Sequence, residues 1–126
     1  MAALAAANEG SALAYGGDAV TAQLGDLVRE VFDHPQAQVF PVVSGTAANS
    51  LALSALCPPW GSVLCHETAH IFTNEGGATS LFSGGAVMRG LSGADYKLHP
   101  ANLQRAFDDT LWGDPHHSQP SVVSVT

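Results

Sequence analysis

Positive charge is scarce in this sequence. Only Arg29, Arg89, Lys97 and Arg105 are basic among 126 residues, against eleven acidic ones, and the formal net charge is −7. A phosphate backbone is gripped by clustered Lys and Arg, so nucleic-acid binding is not expected. A polybasic contact with a membrane surface fails on the same ground. No apolar run approaches the ~20 residues that a membrane helix needs. The opening "MAALAAANEGSALA" lacks the basic start and apolar centre of a signal peptide and reads as the end of an alanine-rich helix. Cysteine is nearly absent as well. Cys57 and Cys65 form no CxxC pair, which points to two buried free thiols and a reducing, cytoplasmic setting.

What remains is apolar. Hydrophobic residues make up 46% of the chain and charged ones 12%, against a usual charged share of ~25%. Such a chain is not disordered; it hides its surface in a larger subunit or in an oligomer.

Along the chain, "EGSALAYGGD" (Glu9–Asp18) reads as a glycine-rich loop, with Asp18 where a helix N-cap belongs. Val20, Leu24, Leu27, Val28 and Val31 then mark one face of a helix ending near Phe32. "AQVFPVV" (Ala37–Val43) has the composition of a short buried strand, weakened by Pro41. A helix from about Ala47 carries Ala48, Leu51, Ala52, Ala55 and Leu56 on one face, and "CPPWG" stops it. "SVLC" (Ser62–Cys65) is a strand. "IFTNEGGATSLFSGG" holds a short helix and a turn, "AVMRGL" a strand and "GADYKLHP" a loop. "PANLQRAFDD" is a helix with Leu103 and Phe107 inward, and "PSVVSVT" starts a last strand. Alternating helices and strands predict an α/β sheet with crossover helices. There is no linker or internal repeat, so residues 1–126 read as one piece of a larger fold, with no second domain.

His66-Glu67-Thr68-Ala69-His70 spells H-E-x-x-H, the pattern of zinc proteases. Those enzymes place both histidines in one long helix, four residues apart and facing one metal. Here His66 follows four strand-like residues, so it belongs on a strand end and His70 on a helical turn. The extended pattern would also need glycine at Thr73 and histidine at Gly76. No metal site is expected.

Taken together, "YGGDAVTAQL", "SGTAANSLAL", "CHETAHIFTNEGGA" and "HHSQPSVVSVT" resemble, in order and spacing, the N-terminal third of the L-threonine aldolases. "GTAANSLALSALCPPWG" and "HHSQP" look closest to the phenylserine-aldolase branch. These are pyridoxal 5'-phosphate (PLP) enzymes. The resemblance implies the large PLP-binding domain of fold type I, a mainly parallel sheet with crossover helices, incomplete in this chain. It also implies homo-oligomers, dimers or tetramers, with active sites between subunits.

The resemblance further assigns roles. Ser44, Gly45 and Thr46 lie between a strand and a helix, where free N–H groups and the helix dipole favour a phosphate; standing alone, Ser44 reads first as a plain helix cap. His70 is the residue that stacks on the cofactor ring and can take a proton. His66 supports the loop beside it. His116 reaches the substrate near its β-hydroxyl, unless the placement slips to His117. Tyr15 matches a Y-G step near the substrate and the neighbouring subunit. The family's Y-G-D-D stands here as Tyr-Gly-Gly-Asp, and Asp18 reads first as a cap. Glu75 is a lone carboxylate suited to a structural hydrogen bond.

The cofactor lysine, the Asp facing the pyridine nitrogen and the Arg for the substrate carboxylate lie, in the family, beyond Thr126. Lys97, the only lysine, sits in a polar loop and is a poor choice. The expected activity is retro-aldol cleavage of a β-hydroxy-α-amino acid to glycine and an aldehyde, with His70 or His116 as base. The alternatives are a β-eliminating lyase of the same fold or a catalytically incomplete piece.

Overall fold

The computed structural model describes residues 1–126, in two compact units, Met1–Pro41 and Val42–Thr126.

The first unit holds α1 (Ala2–Ala7) and α2 (Ala19–Val31). Asp18 caps α2 as its sequence position predicts: one carboxylate oxygen accepts the Thr21 N–H (2.8 Å) and the other the Thr21 hydroxyl (2.6 Å). The Thr21 hydroxyl, followed by its N–H, holds the Asp18 carboxyl below its usual pKa. At the other end Arg29 donates from Nε to the Ala37 carbonyl, 3.0 Å away. The apolar stripe of α2 is formed but uncovered: Val20, Leu24, Leu27 and Val31 are all exposed. Ala37–Val43 is not a strand. Its residues have strand propensity, but Pro41 offers no donor and the sheet provides no partner strand, so composition alone does not make an element.

The second unit is a three-stranded parallel sheet in the order β2-β1-β3. The strands are β1 (Gly61–His66), β2 (Val87–Leu91) and β3 (Gln119–Val123). Parallel strands need crossovers, and the chain supplies them. Two short helices, α4 (His70–Thr73) and α5 (Ala78–Phe82), lie between β1 and β2; α6 (Pro100–Asp108) lies between β2 and β3. Every residue of β1 is buried, as expected for the middle strand of a sheet covered on both faces. Val63, Leu64 and Cys65 are fully buried; burial of Val63 or Leu64 contributes about 1.5–3 kcal/mol each. A register shift between Ser62 and Val63 absorbs one extra residue of β3.

α3 (Gly45–Leu56) packs on α5 and returns the chain to β1. A methyl group on Gly61 would come within 2.5 Å of Ser121 Oγ and 3.0 Å of Cys57 Sγ. Glycine there lets the end of α3 and β3 close on the start of β1. The buried face of α3 corrects the sequence expectation: Ser50, Leu53 and the following Cys57 are buried, whereas Leu51 and Leu56 are more than half exposed. The helix is apolar nearly all round, so periodicity could not choose its inner face. Cys57 and Cys65 are free and buried, and burial pushes both thiols up in pKa.

Candidate functional site at the carboxyl edge of the sheet

Because all three strands are parallel, their carboxyl ends, His66, Leu91 and Val123, form one edge of the sheet. In open α/β sheets ligands bind outside that edge. The chain reverses just past β1: Glu67 and Thr68 make a turn, closed by the Ala69 N–H on the His66 carbonyl (2.9 Å), and α4 begins at His70. Strand end and helix start therefore separate the two histidines of HETAH, as their sequence context predicts.

His66 is structural. Its Nδ1 accepts the Thr68 N–H (3.1 Å) and lies 2.7 Å from the Thr68 hydroxyl, while Nε2–H donates to the Gly93 carbonyl (3.3 Å). Both ring nitrogens are engaged and the residue is 6% exposed, which leaves no lone pair for a metal. Tyr96 covers its edge, with ring centroids 6.2 Å apart.

His70 is different. Its side chain is 61% exposed and lines an open cleft of about 380 Å³ with Thr68, Asn74, Tyr96 and Thr126. One side of the ring is anchored: Nδ1–H donates to Glu75 Oε1 at 2.9 Å. The Glu75 side chain is fully buried, and the same oxygen accepts from Asn49 Nδ2 at 2.7 Å. Asn49 lies in the second turn of α3. That helix is thereby tied, one turn from its N-terminus, to the edge that carries His70.

The N-terminus of α3 has the features of an anion seat. Ser44 caps it, its hydroxyl accepting the Ala47 N–H at 3.2 Å. The Gly45 and Thr46 N–H groups have no partner within the helix, and the first turn holds no acidic residue. A methyl group on Gly45 would meet no atom within 4 Å. Packing within the chain does not demand glycine there; the missing side chain leaves the backbone open to something else. These residues fit a phosphate group.

The structure does not bring His116 to this edge. His116 and His117 come just before β3 and therefore stand at the amino edge, where they line clefts with Trp60, which precedes β1, and with Val87, which starts β2. At about 3.3 Å per residue, the six residues of β1 put roughly 17–20 Å between the edges. The His116 N–H donates to Asp114 (2.8 Å), and His117 Nδ1 lies 3.3 Å from the same carboxylate. Within this chain, parallel topology puts His70 and His116 at opposite edges, because residues that enter a strand and residues that leave one stand at its two ends.

Tyr15 belongs to the first unit. Its φ is +58°, followed by Gly16 at +79°, and its side chain is fully exposed. A tyrosine in the left-handed region is a strained residue, and strain of this kind clusters at functional positions. Lys97 is exposed in the loop after Tyr96. Nothing in the sequence marks Asn49, and the only signal for Glu75 is an acidic residue five positions after a histidine.

Comparison with known proteins accords with this layout. The chain is 42% identical over 125 residues to a low specificity L-threonine aldolase of a Pseudomonas species, and 44% identical over 126 residues to that of Pseudomonas aeruginosa. Each match takes in 99% of this chain, which spans about a third (35%) of the length of these curated relatives. A solved threonine aldolase structure from Leishmania major superposes with a TM-score of 0.88 at 28% identity, over 97% of this chain and 34% of that one. The parallel α/β layout is thus that of fold type I, as the sequence implies. The model of the beta-eliminating lyases matches residues 1–126, and the chain belongs to the beta-eliminating lyase family.

Proposed function

We propose that this chain serves a PLP-dependent aldehyde-lyase that cleaves β-hydroxy-α-amino acids of the threonine, allo-threonine or phenylserine type to glycine and an aldehyde. One observation carries the reading: an open, uncharged helix N-terminus and an exposed, anchored histidine are tied to one sheet edge through Glu75. The names of the Pseudomonas and Leishmania relatives give the reaction class.

In this reading the Ser44–Thr46 turn holds the cofactor phosphate through the Gly45 and Thr46 N–H groups and the helix dipole. His70 presents its flat ring to the cofactor and is the group on this chain placed to take the β-hydroxyl proton. PLP, when bound, supplies an electron sink for the pair left on Cα when the Cα–Cβ bond breaks. Tyr15, on the strained step, serves the substrate or a neighbouring subunit. The enzyme acts as a homo-oligomer: the bare apolar stripe of α2 and the outer face of α3 are surfaces that a folded protein covers. No helix is long and apolar enough to cross a membrane, and two free thiols suit the cytoplasm. Expected partners are small amino acids, not nucleic acid.

A second reading, β-elimination by a lyase of the same fold, is favoured by the family description and by the distance of His116 from this edge. Product analysis separates the two. The purified full-length protein, loaded with PLP and given threonine or phenylserine, should release glycine and an aldehyde in equal amounts. A 2-oxo acid and ammonia without glycine would replace the aldolase reading with the eliminating one. Borohydride reduction followed by intact mass should show one reduced pyridoxyl-phosphate adduct; its absence would remove both.

A further inference from the structure

We infer that Glu75 is a positioning residue for His70, and that Asn49 and Glu75 together fix which ring nitrogen of His70 faces the reacting atoms. The inference rests on the reading above for the purpose it serves, but the geometry stands by itself. Glu75 is completely buried at its side chain, in a turn between two short helices, where a carboxylate without partners would be costly. Its Oε1 receives two donors, Asn49 Nδ2–H at 2.7 Å and His70 Nδ1–H at 2.9 Å. The arrangement works in one direction. Asn49, held on α3, orients the carboxylate; the carboxylate then claims the Nδ1 proton of a ring that is otherwise mostly in solvent.

A neutral imidazole has one N–H and one bare nitrogen, and the bond made by the first decides the identity of the second. With Nδ1–H donated to Glu75, Nε2 is left bare and is the atom of His70 that can accept a proton. His66 provides a contrast within the same five residues. Its Nδ1 accepts the Thr68 N–H and its Nε2–H donates to Gly93, the opposite tautomer. The two histidines of HETAH are thus set in opposite senses, one closed on the loop and one open to the cleft.

Only Oε1 of Glu75 is used; Oε2 is buried with no partner. A Glu75→Gln change can keep an oxygen at the Oε1 position with the amide at the unused one. It should preserve the tautomer, whereas Glu75→Leu removes the acceptor and should not. Long-range 1H–15N NMR of the full-length protein labelled at histidine reads this directly, at a pH where the rings are neutral. Wild type and E75Q should show His70 protonated at Nδ1, with His66 protonated at Nε2. E75L should lose the fixed Nδ1–H signature of His70 while that of His66 stays, which reports that β1 is still folded. Asn49→Ala should give a partial loss.

An unchanged His70 tautomer in E75L, or loss of the Nδ1–H signature in E75Q with His66 intact, would overturn the inference. If E75L also perturbed His66, the E75Q result alone would decide. PLP binding, followed by absorbance on the same samples, separates the two levels. A Glu75-dependent tautomer in a protein that binds no PLP would sink the functional reading alone; bound PLP with a tautomer indifferent to Glu75 would sink this one alone.

Discussion

The two edges of the sheet carry two histidine pairs, and their surroundings differ in kind. At the carboxyl edge His66 is buried and saturated, while His70 is exposed but anchored through a buried carboxylate to a helix in another layer. At the amino edge the partner of His116 and His117 is Asp114, within the same loop. That loop is tied together by Gln119, which donates to the carbonyls of His117 and Leu111. A local hydrogen bond shapes a loop. A bond between residues 26 apart in sequence, such as that of Asn49 with Glu75, exists only when the fold is complete, and so ties the position of a side chain to tertiary structure.

The contrast can be broken most sharply by kinetics. On the full-length enzyme, His70→Ala should lower kcat for threonine cleavage by about 10²–10⁴-fold, the usual worth of a positioned acid–base group. His116→Ala should change it no more than a few-fold. Equal losses from both would mean that topology misassigns the edges. Next in size is a change that should hurt the edges alike. Leu64 is fully buried in the strand that joins them, and Leu64→Ala should cost about 2–5 kcal/mol in urea unfolding. The smallest effect on stability is the most telling one for binding. Gly45→Ala meets open space and should shift the unfolding free energy by less than about 0.5 kcal/mol. It should nevertheless weaken PLP binding in an absorbance titration, because a methyl group then stands where the phosphate approaches. Unchanged PLP affinity would remove the α3 terminus from the site.

Much of this was legible in the sequence. The Asp18 cap, the strands at Ser62–Cys65 and Ala86–Leu91, and the placement of His66 and His70 on different elements follow from local composition and stop signals. Local information ran out in three places. Ala37–Val43 has strand residues without a strand beside them. α3 is apolar on two sides, and its inner face was set by the packing of Ser50 and Leu53 beside α5 and β1. His116 poses a question of another sort. The order of segments puts it ahead of a parallel strand, at the edge opposite His70 within this chain, whereas likeness of motif assigns both histidines to one substrate. The Asn49–Glu75–His70 connection could not be read from sequence, since no periodicity relates a helix position to a turn 26 residues later.

The pairing of β1 with both neighbours also sets an order in time. The loop closed by β1 and β2 is less than half as long as the one closed by β1 and β3, and each doubling of loop length adds about 0.6 kcal/mol of closure entropy. Longer-range pairings form later for the same reason. The shorter loop contains His70 and Glu75, so the carboxyl-edge turn is enclosed when the first two strands meet, and the loop with His116 settles only as β3 docks. Folding kinetics of Met88→Ala and Val122→Ala variants would show it as a higher φ-value at Met88 than at Val122. The reverse ranking would mean that β3 nucleates the sheet.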